Sequence, residues 1–471
     1  MARFASLLLT WLLVGCSASE APPDGLGDKP PAAKAAKADD DKPKEGAAGR
    51  AKPIRPGSDW PKFLGPNSDN SSPEKGIMTA WPKEGLKKVW ECKLGQGYAP
   101  PVVANGKLFH FDRFDDTARL TCRNAETGEL IWKHEYSTEY VDQYGYDPGP
   151  RACPLVDGDL VFTHGVEGRV SAVTVADGKS VWSVDTKKDY HFHQNFFGVG
   201  SVPVVHGDLL IVAVGGSAKG AKPFDFRDVK GDGCGIVAFD KKTGKEKYRT
   251  TDELASYSSP VIATLQGKAT GIYFARGGLI GFDPDTGKER FAYKWRAKSM
   301  ESVNAANPTI VGDTILLSEC YEKGAVCLRV KADWSLEEVW TDKGNDADEK
   351  TLLAHWCTPI ADGKHYYACS GRHTPEGDIR CIEQATGKVI WKETKTRRCT
   401  LTKIDGHALC LAEDGTLTLF ELSPDKFAPI AKWKEVPDLT YPCWAPPVVS
   451  RGLMYLRGEG TLACYELIPK K

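Results

Sequence analysis

The dominant pattern along the chain is a run of β-branched and apolar residues, a glycine turn and a second apolar run. Residues 101–109, Pro-Val-Val-Ala-Asn-Gly-Lys-Leu-Phe, and residues 154–162, Pro-Leu-Val-Asp-Gly-Asp-Leu-Val-Phe, are two examples. Asn-Gly and Asp-Gly between apolar runs predict β-hairpins, because both turn residues need positive φ. The turns recur roughly every 50 residues, a spacing typical of propeller blades. The turn glycines are Gly106, Gly158, Gly207, Gly267, Gly312, Gly363, Gly406 and Gly452.

A second pattern follows each hairpin and consists of Thr-Gly or Asp-Gly with an aromatic residue four positions after the glycine. Thr127-Gly128 with Trp132 is one example, and degenerate copies end at Trp340 and Trp433. The aromatic residue falls on the next strand, where we expect it to pack against the neighbouring unit. The tryptophans predicted to dock in this way are Trp90, Trp132, Trp182, Trp340, Trp391 and Trp433.

Two hairpins in each repeat give four strands, which is the content of a propeller blade. The last repeat stops one strand short, after residues 462–465, whereas residues 88–94 form an extra strand that carries Trp90. An open array of sheets would expose an edge at each end, so we expect the N-terminal strand to complete the last blade. The sequence therefore predicts an all-β, eight-bladed β-propeller over residues 58–471, with four antiparallel strands per blade.

The N-terminus has the features of an export signal. Arg3 supplies a positive charge, residues 7–14 are apolar, and Leu13-Val14-Gly15-Cys16 matches a bacterial lipobox. We predict a lipoprotein signal peptide over residues 1–15 and lipidation at Cys16; the alternative is a plain signal peptide with a chance cysteine. Ser17 favours the outer membrane. Residues 16–57 are mostly Ala, Pro, Lys and Asp, a composition that predicts a disordered tether.

Charge and composition narrow the possible partners. Lys and Arg number 62 and Asp and Glu 63, a net charge of −1 that argues against nucleic-acid binding. No segment after the signal is long and apolar enough to span a bilayer. We expect a monomeric propeller exported across the bacterial inner membrane, located in the periplasm or held on the outer membrane by its lipid anchor.

The glycine-to-tryptophan pattern resembles the tryptophan-docking repeat of quinoprotein-type, or PQQ-like, eight-bladed propellers. The resemblance covers roughly residues 58–467, and residues 59–66 and 149–154 are also similar to stretches of secreted bacterial PQQ-like propeller proteins. That group is similar to BamB, the lipoprotein of the outer-membrane barrel assembly machine. The resemblance implies the fold more strongly than the function, because different functions are built on one fold. It favours a binding or scaffold module with a protein partner in the envelope.

The same resemblance leaves an enzyme open as the alternative. Quinoprotein dehydrogenases oxidise alcohols or sugars with pyrroloquinoline quinone (PQQ) and a Ca²⁺-type cation. This chain has 14 Cys but no adjacent cysteine pair and no Cys-x-x-Cys-His haem motif. The acidic loop with Asp225, Asp228 and Asp232 does not have EF-hand spacing. We therefore expect no cofactor and assign no catalytic or metal-binding residues. A PQQ-dependent dehydrogenase is the alternative, and a glycan-binding propeller is a further one.

Candidate ligand-binding residues lie in the segments that connect one blade to the next, which converge at one end of a propeller channel. Their aromatic, imidazole, amide and guanidinium groups would suit a sugar, a quinone or an extended peptide; the alternative is that they only fill the channel. His191, His193 and His355 could also suggest a metal site, which we do not expect. The candidates are Tyr98, Tyr146, Arg151, His191, His193, Asn304, His355, Trp356 and Trp444.

The cysteines remaining after Cys16 are odd in number, so at least one is unpaired in a monomer. Cys320 and Cys327 flank a short turn and are predicted to form a disulfide across neighbouring strands. Cys369 and Cys381 are the next candidates. The other cysteines are expected to pack as small hydrophobic residues.

Overall fold

The computed structural model describes residues 54–192, 196–219, 229–299, 302–344, 346, 349–373 and 377–470. Within these residues the chain forms eight four-stranded antiparallel sheets, one of which gains a short parallel strand, and one helix, α1 (Thr186–Tyr190). The chain enters through β1 (Ser71–Ser72) and β2 (Lys88–Lys93). This confirms the predicted eight-bladed propeller with four antiparallel strands per blade.

Seven of the eight blades are built from four consecutive strands. Blade 1 contains β3 (Val102–Ala104), β4 (Lys107–Phe114), β5 (Thr117–Asn124) and β6 (Leu130–Ser137); blade 2 contains β7 (Leu155–Asp157), β8 (Leu160–His164), β9 (Arg169–Thr174) and β10 (Ser180–Asp185); blade 3 contains β11 (Val204–His206), β12 (Leu209–Ala213), β13 (Ile236–Asp240) and β14 (Glu246–Thr250); blade 4 contains β15 (Val261–Leu265), β16 (Lys268–Phe274), β17 (Gly278–Phe282) and β18 (Glu289–Lys294).

The second half of the ring repeats this order. Blade 5 contains β19 (Thr309–Val311), β20 (Thr314–Glu319), β21 (Gly324–Val330) and β22 (Leu336–Thr341); blade 6 contains β23 (Ile360–Asp362), β24 (His365–Ser370), β25 (Gly377–Glu383) and β26 (Val389–Thr396); blade 7 contains β27 (Cys399–Ile404), β28 (His407–Ala412), β29 (Leu417–Glu421) and β30 (Ala428–Trp433); blade 8 contains β31 (Val448–Ser450), β32 (Leu453–Gly458), β33 (Thr461–Glu466) and β2. First strands of neighbouring blades contact one another, for example β3 with β7, which places them around the axis.

The N-terminal strand closes the ring. β2 pairs antiparallel with β33, and Trp90 lies opposite Cys464 in that ladder. Blade 8 is therefore assembled from the two ends of the chain, which confirms the predicted closure and pairs the edge that β33 would otherwise expose.

The docking tryptophans join neighbouring blades through one repeated contact. The Trp90 Nε1–H donates to the Ala125 carbonyl at 3.0 Å, and its ring lies against Gly128 in the blade-1 turn. Trp132, Trp182, Trp340 and Trp391 donate in the same way to carbonyls of the next blade. Trp433 differs, because its ring packs against Gly85 in the segment before β2.

The segment before β2 forms a plug at one end of the channel. Trp60 and Val103 exchange two backbone hydrogen bonds of 2.8 Å, and the Val156 N–H donates to the Pro61 carbonyl at 2.8 Å. On the other side of the ring, β1 runs parallel to β27. Residues 60–72 therefore bond to the innermost strands of blades 1, 2 and 7, so we call them the channel plug.

The folded domain begins earlier than predicted. The Arg55 side chain is only 8% exposed and pairs with Glu466 at 3.2 Å. Its backbone N–H donates to Glu126 at 3.0 Å. The predicted tether boundary at residue 57 is therefore too late, because Arg55 is anchored to blades 1 and 8. The signal peptide and Cys16 lie outside the described residues, as do Asp225 and Asp228.

The predicted disulfide between Cys320 and Cys327 is wrong. β20 and β21 pair as far as Glu319 and Gly324, so Cys320 lies in the turn, while Cys327 lies opposite Leu316. Both thiols are free. The thiols of Cys369 and Cys381 are free as well. No helix in the described part of the chain has the length and apolar character that crossing a bilayer requires.

Candidate functional site

The candidate site is a cavity of about 240 Å³ at the connector end of the channel, opposite the turns between the first and second strands of the blades. All eight connectors between consecutive blades contribute to its lining, because each returns the chain from an outermost strand to the next innermost strand. Phe63, Leu64 and Asn70 of the channel plug also line it. The aromatic, charged and hydroxyl-bearing side chains that also line it are Tyr98, Tyr146, Arg151, Phe197, Tyr257, Tyr321, His355, Trp356, Arg372, Arg398, Thr400 and Trp444.

The structure brings most of the sequence candidates together at this cavity. The candidates that line it are Tyr98, Tyr146, Arg151, His355, Trp356 and Trp444. His191 is exposed at the C-terminal cap of α1, away from the lining. Asn304 is buried and donates from Nδ2 to the Ala275 carbonyl at 2.7 Å, which positions its connector. His193 lies outside the described residues.

One wall of the cavity is a continuous band of aromatic rings. Tyr98 and Trp444 have ring centres 4.8 Å apart, and Trp444 and Trp356 are 5.3 Å apart. The band continues from Trp356 to His355 at 4.9 Å and from His355 to Tyr321 at 5.9 Å. Adjacent tilted rings at these separations have favourable geometry. We call these five side chains the aromatic band; its half-buried members present an apolar surface made of rings tilted 48–56° to their neighbours.

Arg398 and Glu413 hold the two tryptophans of the band in place. The guanidinium donates to Glu413 Oε2 through Nε at 2.9 Å and Nη2 at 2.7 Å. The same oxygen accepts from Trp444 Nε1 at 3.1 Å. Arg398 also lies over the Trp356 ring, 4.8 Å from its centre. The charge of this arginine is therefore balanced by a carboxylate, and its plane supports the band.

Arg151 has a comparable role in the connector between blades 1 and 2. Its Nη2 donates to Asp142 at 2.9 Å and its Nη1 to the Gly149 carbonyl at 2.8 Å. Asp142 also accepts from the backbone N–H of Tyr144 and of Tyr146, each at 3.0 Å. This buried ion pair fixes the loop that presents Tyr146 to the cavity.

Arg372 has a different environment from the other two arginines. Its guanidinium lies 4.2 Å from the centre of the Tyr321 ring. Among the described residues, its Nη2 is buried without a hydrogen-bond partner, and so is Nε1 of Trp356. Burial, with the positive charges of Arg398 and Arg372, lowers the pKa of His355 to about 3, so this imidazole is neutral at pH 7. The cavity wall near Arg372 therefore carries positive charge and hydrogen-bond donors.

The described lining does not match the donor set that a Ca²⁺-type cation needs. Calcium takes six to eight oxygen ligands, largely carboxylates and carbonyls. The described lining contains no Asp or Glu, and the nearby Asp142 and Glu413 carboxylates already accept hydrogen bonds from arginines. No three His, Cys, Asp or Glu side chains are arranged to hold a metal ion within the described residues. The aromatic surface and arginines suit a flat or extended ligand with acceptor groups.

The sequence candidates omitted several residues of the site. Arg372 follows β24 in a turn between the second and third strands of its blade, and such turns reach the same end of the channel as the connectors. Arg398 lies in the short connector before β27, which contains no aromatic residue to indicate a binding site. Phe63 and Leu64 come from the channel plug; their sequence signal is the stretch 59–66, which resembles PQQ-like propeller proteins but does not indicate that it reaches the channel.

The sequence matches the profile of the family described as outer membrane protein assembly factor BamB over residues 75–225 and 226–393. BamB of Burkholderia pseudomallei is 22% identical over 318 residues, covering 65% of this chain and 72% of that protein. The quinohemoprotein alcohol dehydrogenase ADH-IIG of Pseudomonas putida is 25% identical over 172 residues, 35% of this chain. The matched segment spans only 21% of that enzyme.

Two solved structures share the fold. BamB of Moraxella catarrhalis superposes with a TM-score of 0.56 and 13% identity, covering 81% of this chain and 99% of that one. The quinohemoprotein alcohol dehydrogenase of Comamonas testosteroni superposes with a TM-score of 0.58 and 13% identity, covering 88% of this chain and 81% of that one. Identities this low show a common propeller fold and do not separate a binding protein from an enzyme.

Proposed function

Because this chain belongs to the family described as outer membrane protein assembly factor BamB, we propose that it is a binding propeller of the bacterial envelope that engages a protein partner at the connector end of its channel. The observation that carries the proposal is the aromatic band beside Arg372 and Arg398. Aromatic and arginine side chains contribute most to binding energy at protein interfaces.

The charged groups around the cavity support binding in preference to catalysis. Asp142 and Glu413 are held as acceptors for Arg151 and Arg398, so neither carboxylate is poised to remove a proton from a ligand. His355 stays neutral because of its lowered pKa and is a weak base. These groups position the aromatic band, and an extended segment with backbone carbonyls would find donors along the wall.

The location follows from the N-terminal residues. Cleavage before Cys16 and acylation of its thiol would attach the chain to a membrane, and Ser17 favours the outer membrane. The segment between Cys16 and the first anchored residues near Arg55 would let the propeller reach a partner away from the lipid surface. In this proposal the channel plug, whose Phe63, Leu64 and Asn70 line the cavity, closes the channel beyond it, so the partner engages the connector end.

The test is co-purification from solubilised envelope with the full-length tagged protein. Wild type is compared with Trp356→Ala and Trp444→Ala, which interrupt the aromatic band. Tyr293→Ala is the matched control, because Tyr293 lies on the outermost strand of blade 4, away from the cavity, and its hydroxyl donates to Glu338 on the outermost strand of blade 5. We expect one envelope protein to be captured by wild type and by the control and lost from both band variants. Equal capture by all four proteins would contradict binding at this end.

A PQQ-dependent dehydrogenase is the second candidate, because the alcohol dehydrogenase ADH-IIG is similar over 172 residues. The aromatic band and the arginines would suit a planar quinone with carboxylates, whereas the described lining offers no carboxylate for its cation. Reduction of a dye with an alcohol or sugar, dependent on added quinone and calcium, would favour the enzyme over the scaffold. Retention on polysaccharide would instead favour a glycan-binding propeller.

A further inference from the structure

Four cysteines meet at the interface between blades 6 and 7, although they are widely spaced in the sequence. Cys357 precedes β23, Cys369 lies on β24, Cys399 begins β27 and Cys410 lies on β28. All four belong to one apolar cluster, and none is more than 5% exposed. A free cysteine in a core often behaves as a small hydrophobic residue, but two neighbouring thiols can also be joined in a disulfide when an oxidant accepts their two electrons.

Cys369 and Cys399 are hydrogen-bonded to each other across the two blades. The Cys399 N–H donates to Cys369 Sγ at 3.4 Å. The Cys399 thiol also makes side-chain hydrogen bonds to Cys369 and to Cys410. Since β24 and β27 belong to different blades, a covalent bond between these sulfurs would link blade 6 to blade 7.

The two thiols have different reactivity because of this hydrogen bonding. Donation from the Cys399 thiol lowers the pKa of Cys369, whereas the hydrogen bonds and burial of Cys399 raise its pKa. A thiolate is the reactive form of cysteine. Elsewhere burial raises the pKa of the Cys122 thiol to about 12, so that thiol stays protonated and inert. The lowered pKa favours Cys369 as the nucleophile of the pair, and the hydrogen bond between the two thiols places Cys399 next to it as the second thiol.

A narrow crevice connects the pair to the cavity wall. It is lined by Trp356, Cys357, Cys369, Arg398 and Cys399, among others, and has a volume of about 10 Å³. Space of that size is at the lower limit for one water molecule, which argues against a bulky disulfide as the oxidant. Trp356 is followed in the sequence by Cys357, and Arg398 by Cys399. The thiols therefore lie directly behind the aromatic band.

We propose that Cys369 and Cys399 form an oxidation-sensitive site at which hydrogen peroxide, or another small peroxide, creates a disulfide between blades 6 and 7. The Cys369 sulfur attacks one peroxide oxygen, the O–O bond breaks, and water leaves with the thiol proton, giving a sulfenic acid. The Cys399 sulfur then attacks the Cys369 sulfur, the S–O bond breaks, and a second water leaves. Two thiols lose two electrons in total and the peroxide gains them.

This inference does not depend on what the cavity binds. It would hold for a scaffold or an enzyme, because it concerns thiols in the wall between two blades. Cys410, the third thiol next to Cys399, provides the competing pairing that the experiment has to distinguish.

The experiment treats the reduced full-length protein with hydrogen peroxide, alkylates the remaining thiols after denaturation, and maps the tryptic peptides without reduction. Trypsin separates the four cysteines, since Cys369 lies in residues 365–372 and Cys399 in residues 399–403. We expect these two peptides to become cross-linked with the loss of two thiols. Cys399→Ser should stop the reaction at a Cys369 sulfenic acid that dimedone traps, and Cys369→Ser should abolish both products.

Cys464→Ser is the matched control, because Cys464 is fully buried in blade 8, far from the pair. It should leave the cross-link unchanged. A cross-link between Cys399 and Cys410, or oxidation of Cys464 as fast as Cys369, would overturn the proposal. If Cys369→Ser does not fold, Cys369→Ala takes its place, and the wild-type cross-link map alone still decides which sulfurs pair.

Discussion

The ring of Trp90 lies so close to Gly128 that a Cβ atom added to this glycine would be 2.7 Å from the indole. Gly128 also has a φ of +74°, which only glycine adopts without strain. Trp90 belongs to the strand that closes blade 8, and Gly128 belongs to blade 1. The two residues therefore show why the second repeated sequence pattern pairs a glycine with an aromatic residue: the glycine of one blade makes room for the ring of the previous blade.

The first prediction is that Gly128→Ala destabilises the propeller more than Gly158→Ala does. Gly158 has a φ of +57° but no atom within 4 Å of an added Cβ, so it isolates the backbone cost. We expect that cost to be about 1–2 kcal/mol at both sites, with an overpacking cost of about 1–3 kcal/mol at Gly128 only. Urea unfolding of the two variants measures the difference. Equal losses would mean that the Trp90 contact does not constrain position 128.

The second prediction concerns the channel plug. Trp60 is 2% exposed and is bonded to the innermost strand of blade 1. Trp60→Ala should cost about 3–5 kcal/mol of unfolding free energy, as for other buried large-to-small changes. Deleting residues 1–53 should leave thermal unfolding nearly unchanged, because the composition of residues 16–57 predicts a tether and Arg55, which bonds to blade 1, is retained. Unchanged stability of Trp60→Ala would show that the plug adds nothing to the ring.

The fold could be predicted because its signals are local. Each hairpin is specified by a turn such as Asn105-Gly106, in which both residues have positive φ, and ring closure follows from one missing strand. The predicted Cys320–Cys327 disulfide was wrong because the pairing register of β20 and β21 depends on where the turn between them begins. The plug could not be predicted, because contacts such as Asn70 with Leu401 join residues 331 positions apart. The site was found in part: the connectors identified Tyr98, His355, Trp356 and Trp444 of the aromatic band. Tyr321 and Arg372 lie in turns between second and third strands, and finding them required knowledge of where the strands end.

The third prediction is a pH dependence of stability that arises from Glu319. Burial raises the pKa of this carboxyl to about 7 in the folded state, and among the described side chains Ser302 donates a hydrogen bond to it at 2.9 Å. The unfolded chain releases the proton near its ordinary value of 4.5. Between these values the folded state binds the extra proton, so this contribution to stability is complete below about 4.5 and is lost as the pH rises to about 7.

Glu319→Gln should therefore remove the loss of folding stability that occurs as the pH rises, because the glutamine amide does not ionise. The variant should gain stability relative to wild type when the pH is raised from 5 to 8, measured by urea unfolding at each pH. Glu421→Gln is the matched control, because Glu421 is the exposed last residue of β29, the third strand of blade 7, and it should show no such gain. A constant difference between Glu319→Gln and wild type across this range would contradict the raised pKa.

The fourth prediction concerns the N-terminus. Cys16→Ser removes the thiol that lipidation requires, so the variant should be released from the membrane fraction in soluble form. Stable attachment needs more than one acyl chain, which a lipobox cysteine can supply. Fractionation in high salt measures the change, and Cys92→Ser, which alters a cysteine on β2 instead, is the control. A Cys16→Ser protein that stays in the membrane fraction would show that another feature holds it there.

The last prediction separates the scaffold from the quinone-dependent enzyme. A ligand that binds only the folded state at a hundredfold excess over its dissociation constant adds about 2.7 kcal/mol of stability. We expect PQQ with calcium to shift the melting temperature no more than calcium alone, because the described lining offers no carboxylate for the cation. A saturable shift that Trp356→Ala or Trp444→Ala abolishes, while Tyr293→Ala preserves it, would place the quinone on the aromatic band. That outcome would favour the dehydrogenase, since the tryptophans of the band would then bind a cofactor rather than a protein partner.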